Sequence, residues 1–306
     1  DLFHFPSSFM RRSAGNHAGD LHAIVAQPTP RVYGQFRRQT ITARFVPQPR
    51  EGYTRHTVWR RAGRAMAERT EGKHRYRILV AVGNPEQWAI LLAVAVPLAR
   101  CRSGTVLPVC VGQDPEPPDW LIVPEDLQDV VEPPFCLVGG DISTLILDLI
   151  DEEQDSNPFD LMLLLWRGQT SRGRYLLGRT LDPLIQNAPC AVGVIRADES
   201  PAAFAERMRN LQRVLVPTAG GPNAPVALDL AADLGPQVQV TALRIAHRHL
   251  GPTAERAQWE ILRATLDRVT ESNQIAPRVE LAASVTEGIL DHAAEDYDLM
   301  LIGATG

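Results

Sequence analysis

Three stretches of this chain place glycines where a backbone can close around an anion. Gly168, Gly173 and Gly178 share one segment with Gln169, Thr170, Ser171, Arg172 and Arg174, and the segment ends in Arg179-Thr180. Gly220 and Gly221 form a second stretch, and Gly303 and Gly306 a third. A residue without Cβ lets amide N–H groups approach a phosphate closely, and a helix starting just beyond adds a favourable dipole. Arginine side chains bring charge to the first stretch, and Ser171 and Thr180 bring hydroxyl donors. The implied chemistry is the binding of a phosphate-bearing small molecule. Gly173-x4-Gly178-Arg179-Thr180 has the glycine spacing of a P-loop, but Arg179 stands at the lysine position. Gly173 also lies several residues beyond the apolar run that ends at Trp166, which argues against a P-loop.

Other constellations are weaker. His247 and His249 have the same-face spacing of a strand, with no third ligand in view, so they read as surface histidines. His292 lies among Asp291, Glu295 and Asp296, as on a solvated helix face. Asp151-Glu152-Glu153 reads as a charged helix end rather than paired acid and base. Ser171 is not in a G-x-S-x-G elbow, and no histidine or aspartate can be assigned to it. The four cysteines, Cys101, Cys110, Cys136 and Cys190, are far apart and contain no CxxC, which fits a reducing compartment. No metal site and no catalytic residue is expected, so the chain reads as a non-enzyme.

The elements that must hold the glycines alternate in type. Residues 77–82 are a β-branched run ended by Gly83-Asn84-Pro85, followed by an apolar helix over about 86–100. Strands follow at 104–111, 135–138, 159–166 and 190–195, with helices at 142–153 and about 179–188. A proline-rich loop fills 113–134. Strands alternating with helices predict a parallel sheet with right-handed crossovers. The longest apolar run, 88–99, is too short to span a bilayer.

The pattern then begins again. Residues 213–217 echo 77–81, and Gly220-Gly221-Pro222-Asn223 is the turn into a helix over 224–234. Strands follow at 238–245, 279–283 and 298–302, with helices at about 253–272 and 286–295. Phe159-Asp160-Leu161-Met162-Leu163-Leu164 matches Tyr297-Asp298-Leu299-Met300-Leu301-Ile302 almost residue for residue. The expected fold is α/β: two tandem doubly wound parallel-sheet modules, residues 76–197 and 211–306, after an irregular basic segment, 1–75. The second module lacks the last helix and strand of the first. In the first segment only a helix near 57–68 is expected.

Charge is as uneven as structure. The chain of 306 residues has a net charge of -5. Residues 1–77 hold 15 of the 31 Lys+Arg but only 5 of the 36 Asp+Glu. Arg11-Arg12, Arg37-Arg38, Arg60-Arg61 and Arg64 can face an anionic membrane surface, each charge contributing about 1 kcal/mol near it. They can equally pack on the acidic body as a linker. No nucleic-acid motif accompanies them, so a nucleic-acid partner is not expected.

The tandem pattern resembles the universal stress protein family. The likeness rests on the opening strands, on the FDLMLLLW and LLGRTLDPLIQNAPCAVGVIR stretches, and on YDLMLIGATG. It implies a nucleotide-binding fold of the Rossmann type. ATP-binding members carry G-x2-G-x9-G-[S/T] after the fourth strand and an acidic residue at the end of the first. Here Gly168 and Gly178 keep the nine-residue gap, Leu165 replaces the first glycine, Arg179 the hydroxyl residue and Gly83 the acid. The second module keeps Gly303-x-x-Gly306, and Ala219 stands at the acid position. Ala219-Gly220-Gly221-Pro222-Asn223 also partly resembles the SGG-type loop of ATP pyrophosphatases, without its serine or acid.

The resemblance therefore implies ATP or AMP as ligand, weakened or lost in the first module. It also implies a homodimer paired through residues 190–195, as the family often pairs through its fifth strand. Such tandems occur as stand-alone stress proteins and as cytosolic tails of amino-acid permease-like transporters. The chain starts at Asp1 and stops after an apolar run, which favours the tail. The expected role is a non-catalytic regulatory module on the cytoplasmic side of a membrane transporter. The alternatives are a stand-alone ATP- or AMP-binding stress protein and an ATP pyrophosphatase-type enzyme.

Overall fold

In a computed structural model of the chain, the described residues are 23–27, 75–167, 177–270, 274–295 and 297–303. Residues 1–30 and 76–306 form one unit, and 31–75 a second that lies outside the described residues apart from Arg75. The helix expected near 57–68 therefore falls outside them too.

The alternation of strands and helices folds as expected, into two parallel blocks. The first contains β2 (Arg77–Val82), β3 (Thr105–Gly112), β4 (Phe135–Val138), β5 (Leu161–Leu165) and β6 (Ala191–Arg196). The second contains β7 (Arg213–Pro217), β8 (Gln239–His247), β9 (Ile275–Ala282) and β10 (Leu299–Gly303). A further strand, β1 (Ala23–Gln27), joins them into one sheet of order β4-β3-β2-β5-β6-β1-β10-β7-β8-β9. Every neighbouring pair is parallel except β1 and β6. β1 was not legible in the sequence, which reads as irregular there.

The helices form where the sequence supplies caps. After β2, the Asn84 side chain accepts from the Gln87 amide at 2.9 Å and Pro85 opens α1 (Pro85–Cys101). Asp141 caps α2 (Ile142–Glu153), and α3 (Leu181–Asn187) follows β5 without a side-chain cap. Ser200 caps α4 (Pro201–Arg209), which links the blocks. In the second block, α5 (Asn223–Ala232) and α6 (Gly251–Leu266) precede α7 (Val285–Ala293), which Ser284 caps.

Alternation along the strands divides the core between the two faces of the sheet. Ile78, Val80, Leu161, Leu163, Val214, Val216, Leu299 and Leu301 belong to one buried cluster with Leu91 and Val94 of α1, Phe204 of α4 and Leu228 of α5. That cluster spans both blocks. On the other face, Leu215, Leu243 and Met300 pack against Ile289 of α7. Each fully buried aliphatic side chain contributes about 1.5–3 kcal/mol, so the shared core is the main bond between the blocks. A polar link reinforces it. The Arg102 guanidinium after α1 pairs with Asp233 after α5 and lies 4.7 Å over the Tyr76 ring.

The duplicated Asp has a structural task. Asp160 accepts from the Arg77 amide at 2.8 Å, and Asp298 accepts from the Arg213 amide at 2.9 Å. Arg77 and Arg213 stack over Phe159 and Tyr297 at 4.3 and 4.5 Å. The repeated aromatic-Asp pair thus fastens the start of each module's first strand to its fourth strand.

Cys110, Cys136 and Cys190 are buried, and Cys101 is exposed. Burial pushes the Cys110 and Cys190 thiols up to about 12, which leaves them protonated and unreactive. An aromatic disulfide reagent is expected to label one thiol quickly in the folded chain, in the peptide containing Cys101. The other three should react only on unfolding. Fast labelling of two or more thiols would contradict the packing.

Candidate ligand site at the two strand crossovers

An open parallel sheet has a crevice where successive connections leave in opposite directions, beyond the carboxyl ends of the strands. Here there are two such places, between β2 and β5 and between β7 and β10. They are chemically different.

At the first crevice a side chain bridges the two strand ends. Arg167, two residues past β5, crosses to the β2 side, where it donates to Asn84 Oδ1 at 3.1 Å and to the Glu86 carboxylate at 2.7 Å. Asn84 already caps α1, and the Gly83 amide donates to Gln87 Oε1 at 2.7 Å. Among the described residues, the Gly83 amide and the Arg167 guanidinium are therefore already paired. Leu165, at the end of β5, packs against the main core cluster.

The second crevice has a different lining. Gly303 stands where the repeat places Leu165. A Cβ on it would come within 2.8 Å of the Asn223 carbonyl oxygen, so only glycine lets the start of α5 settle against the end of β10. Gly220 has φ +77°, the left-handed region, and its amide donates to Thr218 Oγ1 at 3.1 Å. A Cβ there would meet Ile261 of α6 at 2.5 Å. α5 has no side-chain cap, and Asn223 Oδ1 is buried without a hydrogen-bond partner among the described residues. Arg244 of β8 donates to the Thr218 carbonyl oxygen at 3.3 Å and to Gln258. Burial draws its guanidinium below the ordinary arginine value. A cation thus stands beside the Gly220 turn, and an orphaned acceptor lies in the residue against which Gly303 packs.

The glycines singled out in the sequence fall unevenly. Gly220 and Gly221 form the β7–α5 turn and Gly303 ends β10 beside it, so the structure brings these three together. Gly178 has φ +127° with open space around it and precedes Arg179 and Thr180 at the start of α3. Gly168, Ser171, Arg172, Gly173 and Gly306 lie outside the described residues. Sequence reasoning missed Arg167, Asn223 and Arg244. Only Arg244 left a signal, as the charged residue inside the apolar run of β8. No group of three or more His, Cys, Asp or Glu able to hold a metal occurs among the described residues.

The comparison with protein families finds one match, within the first parallel block. Residues 128–196 match the Universal stress protein family. The matched stretch runs from before β4 to the end of β6 and includes the LLGRTLDPLIQNAPCAVGVIR segment. The comparison with curated proteins returned no match. Among solved structures, the chain resembles a short-chain dehydrogenase/reductase from Burkholderia xenovorans at 13% identity and a TM-score of 0.25, over 76% of this chain and 97% of that one. It also resembles an O-GlcNAc transferase mutant from Thermobaculum terrenum at 12% identity and 0.25, over 74% of this chain and 48% of that one. A glycosyltransferase from Rickettsia africae follows at 12% and 0.21, over 70% and 71%. Likeness at this level says nothing of what this chain does.

The edge expected to pair two copies is not bare. β6 is hydrogen-bonded to β5 on one side and to β1 on the other. No helix among the described residues is long and apolar enough to cross a membrane.

Proposed function

We propose that the chain is a non-catalytic regulatory pair of universal stress-type modules that senses adenine nucleotide, ATP or AMP, at its second crevice and acts on the cytoplasmic side as part of a membrane transporter. The contrast between the crevices carries the reading. At the first, Arg167 bridges to Asn84 and Glu86, whereas the second has Gly303 against the start of α5, which lacks a side-chain cap, and a buried Asn223 oxygen without a partner among the described residues. The positive end of the α5 dipole favours an anion, and Arg244 supplies positive charge beside the Thr218–Gly220 turn that leads into it. Asn223 Oδ1 accepts from a ribose hydroxyl or an adenine amino group.

The excess of arginine in residues 1–77 supports a place beside anionic lipid. Fractionation of the native gene product tests the transporter part of the reading. The product is expected to sediment with membranes and to stay there in high salt. Recovery in the soluble fraction with nucleotide bound would overturn that part and favour a stand-alone nucleotide-binding stress protein. Steady hydrolysis of ATP, abolished by Gly220→Val, would overturn the non-catalytic part.

A further inference from the structure

β9 is the outermost strand of the second block. It bonds β8 on one side and no strand among the described residues on the other. In the repeat it holds the place of β4, the outermost strand of the first block, so the edge is built into the repeat. The two edges differ in length, four residues in β4 and eight in β9.

The β8 ladder settles which main-chain groups of β9 face outward. The Leu243 carbonyl oxygen accepts from the Thr218 amide on the β7 side, so the neighbouring Ala242 and Arg244 turn theirs to β9. Their partners there are Pro277 and Val279, and in a parallel ladder each bonds the residues that flank its partner. Ala276, Arg278 and Glu280 therefore bond β8, and Pro277, Val279 and Leu281 turn their main-chain groups away from the sheet. Proline fits such an outward position because it has no N–H to leave unpaired. Side chains alternate between the faces. Val279 packs against the main core cluster. Arg278 and Glu280 lie on the other face, where Arg278 reaches Glu280 at 2.8 Å and Glu295 at 2.9 Å.

We propose that the outer edge of β9 pairs antiparallel with β9 of a second copy of this chain, about a two-fold axis through Val279. The order of charges selects this register. With Val279 opposite the partner's Val279, Arg278 faces the partner's Glu280 and Glu280 faces the partner's Arg278, two attractive cross-strand pairs. An axis through Arg278 or through Glu280 sets like charges against each other. Val279 exchanges both main-chain bonds across the axis, and the Leu281 amide donates to the carbonyl oxygen of the partner's Pro277. The Leu281 side chain, 41% exposed, gains an apolar neighbour. An edge with unpaired groups templates this kind of strand addition. The inference stands apart from the nucleotide reading, because β9 borders neither crevice.

Sedimentation equilibrium of the full chain is expected to show monomer and dimer in exchange. Arg278→Glu and Glu280→Arg alone each turn two attractive pairs into two repulsive ones and should weaken the dimer about tenfold. The double exchange Arg278→Glu/Glu280→Arg should restore it to within about threefold. A chain that stays monomeric, or a dimer indifferent to the single changes, would overturn the proposal. So would a monomer whose Val279 and Leu281 amides resist hydrogen exchange, since another segment would then hold the edge.

A second variant serves if the charge changes disturb folding. Opposed residues that share both main-chain bonds lie about 5.5 Å apart, within disulfide reach. Cys101→Ser/Val279→Cys, which removes the exposed native thiol, is expected to link two copies through position 279 under mild oxidation. A folded variant that does not cross-link would equally overturn the proposal.

Discussion

Arg77→Ala is expected to lower the thermal midpoint by about 6–12 °C, the largest single effect of any polar substitution in the described residues. The Arg77 side chain is only 4% exposed, and its guanidinium reaches Glu132 at 3.3 Å and Glu153 at 3.2 Å. It also donates to the Asn157 carbonyl oxygen at 2.5 Å and lies over Phe159. Glu132 is itself well buried and accepts from Thr105 Oγ1 at 2.6 Å. Removing the arginine leaves a buried carboxylate without its cation, which costs about 3–5 kcal/mol. At about 2–4 °C per kcal/mol for a body of this size, that gives the stated drop or more. The second copy supplies a built-in control. Arg213 stacks on Tyr297 in the same way but is less buried, and its guanidinium bonds the Glu295 carbonyl oxygen at 3.0 Å. Arg213→Ala should therefore cost clearly less in the same melting experiment. Equal losses would show that the stacked arginine, and not the buried carboxylate network, sets the cost.

The sequence made the parallel sheet legible because its strands are buried on both faces and read as short continuous apolar runs. The duplication fixed the order of the second block, since 297–302 repeats 159–164. Three features were hidden. Ala23–Gln27 is five residues of mild apolarity among prolines and arginines, and it pairs with two strands far away in sequence. β9 begins at Ile275, four residues before the expected start, because Ala276, Pro277 and Arg278 break the apolar pattern while still pairing with β8. α6 ends at Leu266 rather than near 272, as the chain turns through Asp267 and Arg268.

The candidate site was legible only in its glycines. Gly220 and Gly303 stand out because turns and close approaches demand them, and both meet their neighbours as that demand predicts. Arg167 bridging the first crevice was not readable, because its partners Asn84 and Glu86 lie more than eighty residues earlier. The unpartnered oxygen of Asn223 was equally hidden, since a side chain left without a partner has no signature in composition or spacing.

That oxygen also gives the sharpest test of the central claim. Asn223 Oδ1 bonds no described protein group, so Asn223→Ala removes an orphaned buried acceptor at little cost to stability. If the oxygen receives a donor from bound nucleotide, the same substitution should weaken binding about tenfold, roughly the worth of one hydrogen bond. The measurement is a calorimetric titration of the full chain with ATP and with AMP, repeated on Asn223→Ala and on Arg167→Ala, with thermal midpoints recorded for each. The account predicts saturable binding of one nucleotide at one site per chain, about tenfold weaker in Asn223→Ala with its midpoint unchanged, and undiminished in Arg167→Ala. No binding in the unaltered chain, or binding that Asn223→Ala leaves intact, would contradict it.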